Sequence, residues 1–145
     1  MTMEGGCLCK AVRFSLDAEP EFARYCWCRD CQYWAAGSPT VNVQFPAGSL
    51  SLEGDVSWFQ NTADSGNAMK RGFCPKCGTP LFSMKASPAD PDQAIRVRAG
   101  ALDDPEAIEP TATIWANSAP HWALLDPQIM TFPKGPYNPD DNRNY

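Results

Sequence analysis

The residues of this chain whose type and spacing could do chemistry are its seven cysteines. They fall into three groups: Cys7 and Cys9 in "CLC", Cys26, Cys28 and Cys31 in "CWCRDC", and Cys74 and Cys77 in "CPKC". A Cys-x-x-Cys turn brings two sulfurs to neighbouring corners of a tetrahedron around one zinc ion, each about 2.3 Å from the metal. Cys74 and Cys77 therefore supply half a site, with Pro75 pre-bending the loop and Gly78 free to take a positive φ as the chain leaves it.

Either the N-terminal pair or two members of the triple could supply the other half. Joining Cys7 and Cys9 to Cys74 and Cys77 closes a four-thiolate site and keeps Cys26, Cys28 and Cys31 together. The other pairing strands one thiolate and orphans two. A metal held by four thiolates has no open position and is structural, whereas three protein ligands plus one exchangeable position is the pattern of a working zinc. Two zinc ions are expected on this count. A competing reading closes the triple with His121, the only histidine, or with Asp30, and makes the chain a zinc-stabilised protein-binding module.

The other totals narrow the partners. A net charge of −5 argues against nucleic acid, whose affinity rests on cations facing phosphates. The start, "MTMEGGCLCKAV", has no basic segment leading into an apolar run, and nowhere do about eighteen apolar residues follow one another. The reading is a cytoplasmic protein without a membrane partner, in which an odd number of cysteines suits metal better than disulfides.

Positioning these cysteines falls to short extended runs. "AVRFSL" alternates Val12, Phe14 and Leu16 with polar residues, "TVNVQF" puts Val41, Val43 and Phe45 on one face, and "AIRVRAG" points Ile95 and Val97 inward. "SLSL", "VSWFQN" and "TATIWA" read as further strands, and the arms 69–73 and 80–84 make a hairpin around Cys74 and Cys77. "RDCQYWAAG" predicts one short helix stopped by Gly37 and Pro39. Fourteen prolines and ten glycines between such runs argue for a mainly β fold with one or two short helices. The expected organisation is a single domain over 1–133, a polar loop over 85–93 and an irregular tail over 134–145.

Taken in order, "GGCLCKAVRF", "YCWCRDCQYWAAG" and "KRGFCPKCGTPLF", followed by "IWANSAPHW", resemble the glutathione-dependent formaldehyde-activating (GFA) family, which shares a domain with the centromere protein V group. The resemblance covers about residues 5–133. It implies a β-tent fold related to zinc ribbons, a structural zinc on Cys7, Cys9, Cys74 and Cys77, and a catalytic zinc on Cys26, Cys28 and Cys31. It also implies a carbon-sulfur lyase activity, run in reverse when glutathione and formaldehyde combine to S-hydroxymethylglutathione, and hence a small thiol as partner. A metal already carrying three thiolates is a modest Lewis acid that suits a soft sulfur better than water. The chain departs from many relatives at Trp27, where they carry histidine, and at Lys10, where they carry glycine.

The remaining candidates are read more plainly. His121 is expected to be a loop residue without a role, and Asp30 to be solvated at the helix start. Lys70 and Arg71 would receive substrate carboxylates or offset the charge of the four-thiolate site. Of the tryptophans, Trp115 or Trp122 is expected nearest the working zinc, ahead of Trp34 and Trp58.

Overall fold

Short β-branched and aromatic runs, each stopped by proline, glycine or aspartate, form eleven strands and one α-helix in the computed structural model, which describes residues 2–86 and 93–135. In chain order these are β1 (Met3–Gly6), β2 (Arg13–Leu16), β3 (Phe22–Cys26), α1 (Arg29–Trp34), β4 (Thr40–Pro46), β5 (Leu50–Glu53) and β6 (Ser57–Thr62). They continue with β7 (Ala68–Phe73), β8 (Pro80–Lys85), β9 (Ala94–Arg98), β10 (Ala112–Ile114) and β11 (Met130–Thr131). The mainly β expectation and each strand it named are met. No helix among the described residues is long and apolar enough to cross a membrane.

Two sheets result. β1, β2 and β5 form a small antiparallel sheet, and the other strands form a large one in the order β11-β10-β3-β4-β9-β8-β7-β6. The large sheet is antiparallel except at β10, which runs parallel to both β3 and β11. Period-2 alternation gives each strand two faces, and the apolar residues of both sheets meet between them. Phe14 and Leu16 from the small sheet, with Val12 just before β2, join Val43, Phe45, Phe82, Ile95 and Val97 from the large one in a buried core. The Phe14 and Phe82 rings meet edge to face at 5.2 Å. Each such side chain contributes roughly 1.5–3 kcal/mol by burial, so this layer holds the sheets together.

Three strands carry no clear alternation signal: β1, β3 and β11. β1 reads "MEGG" and is specified by its partners, since it pairs with β2 from Met3 opposite Leu16 to Gly6 opposite Arg13. Its Gly5 is required by a close approach, because a Cβ there would lie 2.2 Å from the Ala101 carbonyl and 2.3 Å from the Phe14 ring. α1 ends at Trp34, and Ala36 and Gly37, with φ of 54° and 95°, turn the chain away as the glycine predicts.

The polar loop expected over 85–93 and the irregular tail expected over 134–145 lie largely outside the described residues. Where the second segment begins it is tied down. The carbonyls of Phe132, Pro133 and Lys134 accept hydrogen bonds from the amides of Ala116, Asn117 and Trp115 at 3.1, 3.0 and 2.9 Å.

Two cysteine clusters and a basic cleft

The four cysteines paired by counting are brought together by the hairpin and the turn after β1. Their sulfurs all lie within 4.8 Å of one another. Tetrahedral ligands on arms of about 2.3 Å would be about 3.8 Å apart; Cys7 and Cys9 are at 3.6 Å, and Cys9 and Cys74 at 3.8 Å. Backbone N–H groups point at the sulfurs, from Val12 to Cys7 at 3.2 Å and from Lys76 to Cys74 at 3.4 Å. Thr79 binds the cluster together, with its hydroxyl 3.1 Å from Cys77 and accepting the Leu8 amide at 3.1 Å. This hydroxyl, with the amides of Thr79 and Cys9, draws the Cys77 thiol down to about 5. Gly78 leaves the knuckle with φ of 73°, as the loop chemistry predicts. The donor set fits one soft dication.

The second cluster sits where β3 meets α1. Along an extended chain, residues two apart share a face, so Cys26 and Cys28 point the same way and Trp27 between them points to the other. Cys28 is the N-cap of α1, and its sulfur accepts the Cys31 amide at 3.3 Å, which folds the third thiol back onto the first two. All three are buried, with sulfurs within 4.8 Å of one another, and among the described residues no His, Asp, Glu or further Cys joins them. The trio shares its protons unevenly. Bonds from Cys26 and Cys28, helped by the charge of Arg98, hold the Cys31 thiol well below its usual range. The neighbouring thiols and burial push Cys26 well up. Cys28 gains from its bond to Cys26, but Cys31 and burial outweigh this and raise it to about 12. A bound dication would favour the thiolate form of all three and draw off their protons.

These thiols line a cleft that is open to solvent. The strand register explains what surrounds them. On the face of the large sheet opposite the core, Cys26 lies beside Thr40 and Ile114. Two residues further along, Arg24 lies beside Asn42, and Asn42 beside Arg98. Two more bring Arg96 beside Ser83, and Ser83 beside Arg71. Alternation thus delivers apolar side chains to one face and arginines to the other. Arg98 donates from Nη1 to the Asn42 carbonyl oxygen, and Arg71 donates to Asn61 and, at 3.2 Å, to Asp30. Burial pulls the Arg98 guanidinium below its ordinary value, against the opposing effect of the cysteines.

Several single-residue readings change. Asp30 is only partly exposed; its carboxylate accepts from Asn61 at 3.1 Å and pairs with Arg71, and it joins neither cysteine cluster. Arg71 lies at the cleft of the triple rather than beside the four-cysteine cluster, and Lys70 sits 4.9 Å over the Trp58 ring. Of the two favoured tryptophans, Trp115 packs against Cys26, Cys28 and Cys31 and walls the cleft, while Trp122 is exposed. Trp58 stacks on Phe82, and Trp34 packs against Phe73 with its ring tilted by 50°. Trp27 is buried but lines a separate recess with Tyr25 and Thr113, so the departure at this position does not alter the cleft wall. His121 is exposed and outside both clusters. Arg24, Asn42, Arg96 and Arg98 escaped the sequence reading. For Arg96 and Arg98 the signal was their alternation with Ile95 and Val97 in "AIRVR", which puts both arginines on the strand face opposite the core.

A small mainly β protein with two clusters able to hold metal, one of them opening on a cleft, is the class that this fold and these sites define. The chain belongs to the family described as glutathione-dependent formaldehyde-activating enzyme, which matches residues 2–118. A Schizosaccharomyces pombe protein named as an uncharacterized lyase is 35% identical over 81 residues, 54% of this chain. The matched region spans 55% of that relative's length. A crystal structure of a Rhodobacter sphaeroides protein has a similar fold, with a TM-score of 0.55 and 22% identity over 74% of this chain and 92% of that one.

Proposed function

We propose that the chain is a zinc-dependent enzyme of the carbon-sulfur lyase type, working on thiol adducts at Cys26, Cys28 and Cys31, with a structural zinc on Cys7, Cys9, Cys74 and Cys77. The observation that carries this reading is the contrast between the clusters. Four sulfurs at tetrahedral spacing make a closed clamp, whereas three sulfurs on the floor of a cleft leave room for a ligand. The family's description and the lyase name of the yeast relative support it. The reaction it fits is the combination of a thiol such as glutathione with formaldehyde. A carbon-sulfur bond forms to the carbonyl carbon, and the thiol proton ends on the carbonyl oxygen. In the lyase direction both steps reverse.

Zinc, when bound, would supply positive charge that keeps a substrate sulfur ionised at neutral pH. The chain's own residues do the rest. The Cys31 amide and the Thr40 hydroxyl orient the cluster, and Ile114 and Trp115 cover it and keep water from its apolar side. Trp115 holds a left-handed backbone, φ 57° and ψ 35°, through the hydrogen bond to Lys134. Strain of that kind is usually kept where it positions a side chain for function.

Exchanging Cys28 for Ser tests the assignment against a purely structural second metal. The variant is expected to lose adduct formation, followed by NMR with thiol and formaldehyde, while its melting temperature changes by only a few degrees. A variant that melts like one lacking Cys74, with no activity in the parent protein, would favour the binding-module reading.

A further inference from the structure

The chain is acidic as a whole, yet five of its twelve lysines and arginines line one cleft: Arg24, Arg71, Lys85, Arg96 and Arg98. Among the described residues two carboxylates face the arginines, Asp64 in the lining and Asp30 against Arg71. Three thiolates around a dication would add a single negative charge. Lys85 aside, the four arginines therefore exceed the negative charges facing them among the described residues by one, in a molecule whose total is −5. Like charges gathered in a half-buried space repel one another and lose hydration, so this excess needs a counter-charge.

The hydrogen-bond count points the same way. Arg71 and Arg98 are 4% and 6% exposed, and the Nε of each is buried without a partner. Their protein contacts use only part of the guanidinium fork: Asn61 and Asp30 for Arg71, Asn42 for Arg98. A fork of this kind is suited to an oxyanion. Position adds the distance from the chemistry. Arg98 lies opposite Asn42, one row along the sheet from Cys26 and Thr40, and rows are about 6.6 Å apart. An oxyanion held by Arg98 would be only a few bonds from a sulfur at the cluster.

We propose that this arginine floor selects the substrate by charge: Arg71, Arg96 and Arg98 bind a carboxylate carried near the thiol, so the protein takes acidic thiols in preference to neutral or cationic ones. The proposal rests on the reading of the three-cysteine cluster as a thiol site, but the carboxylate pocket itself does not depend on it.

Calorimetric titration of the zinc-loaded full chain with 3-mercaptopropionate, 2-mercaptoethanol and cysteamine measures the selection directly. The acid is expected to bind at least about tenfold tighter than the other two. In Arg98→Met and Arg96→Met proteins, shown by circular dichroism to be folded, that preference should shrink to about twofold or less, with the acid losing far more affinity than 2-mercaptoethanol. An arginine with only a structural role would weaken all three thiols together, and that result, or equal binding in the parent protein, overturns the proposal. Sulfur-free glutarate separates the two readings. If glutarate binds the parent and not the variants while no thiol binds, the thiol-site assignment falls and the carboxylate pocket stands. If glutarate fails to bind, or only inorganic phosphate binds, the carboxylate pocket falls whatever the thiols do.

Discussion

Asp30 shows how a residue's role follows from its partner rather than from its place in the chain. At the start of a helix a carboxylate is ordinarily solvated, but here it meets a buried guanidinium from a strand forty-one residues away. Replacing Asp30 by Asn leaves Arg71 with a neutral partner, and the loss should be about 1–3 kcal/mol by urea unfolding. A solvated side chain would change stability by no more than about 0.5 kcal/mol. The cysteines behave in the opposite way, because their spacing already states which of them can share a metal. Trp27 lies between: period-2 geometry sends it away from Cys26 and Cys28, which follows from the sequence once β3 is recognised.

At the scale of elements, two backbone positions make opposite predictions. Lys10 closes the turn after Cys9 with φ of 65°, in the left-handed region that favours glycine. Lys10→Gly should therefore stabilise the protein, by up to about 1 kcal/mol in chemical denaturation, unless its greater freedom in the unfolded chain cancels the gain. Gly5→Ala should do the reverse. Its methyl would meet a backbone carbonyl and the Phe14 ring, neither of which can move without disturbing the core, at a cost of about 1–3 kcal/mol. β4 and β9 were legible from their alternation, as was the cysteine hairpin from its turn residues. β1, β3 and β11 were not, because "MEGG", "FARYC" and the two-residue β11 carry too little periodicity and exist by pairing with neighbours.

For the whole molecule, the four-cysteine cluster joins the N-terminal turn to the hairpin between β7 and β8, elements far apart in the chain. Stripping metal with a chelator should lower the melting temperature, and hydrogen exchange should quicken first around residues 5–12 and 72–81, before β4 and β9. Cys74→Ser should reproduce that pattern without a chelator. The sequence by itself determined which cysteines form which cluster, the mainly β class and the apolar face of each strand, because spacing and alternation are local properties. Only the tertiary structure decided what lies on the other face. Arg24, Arg71, Arg96 and Arg98 come from three separate stretches of chain, and they meet beside the three cysteines through the register of β3, β4, β9, β8 and β7. Register depends on pairings across the whole sheet, and no short window of sequence contains it.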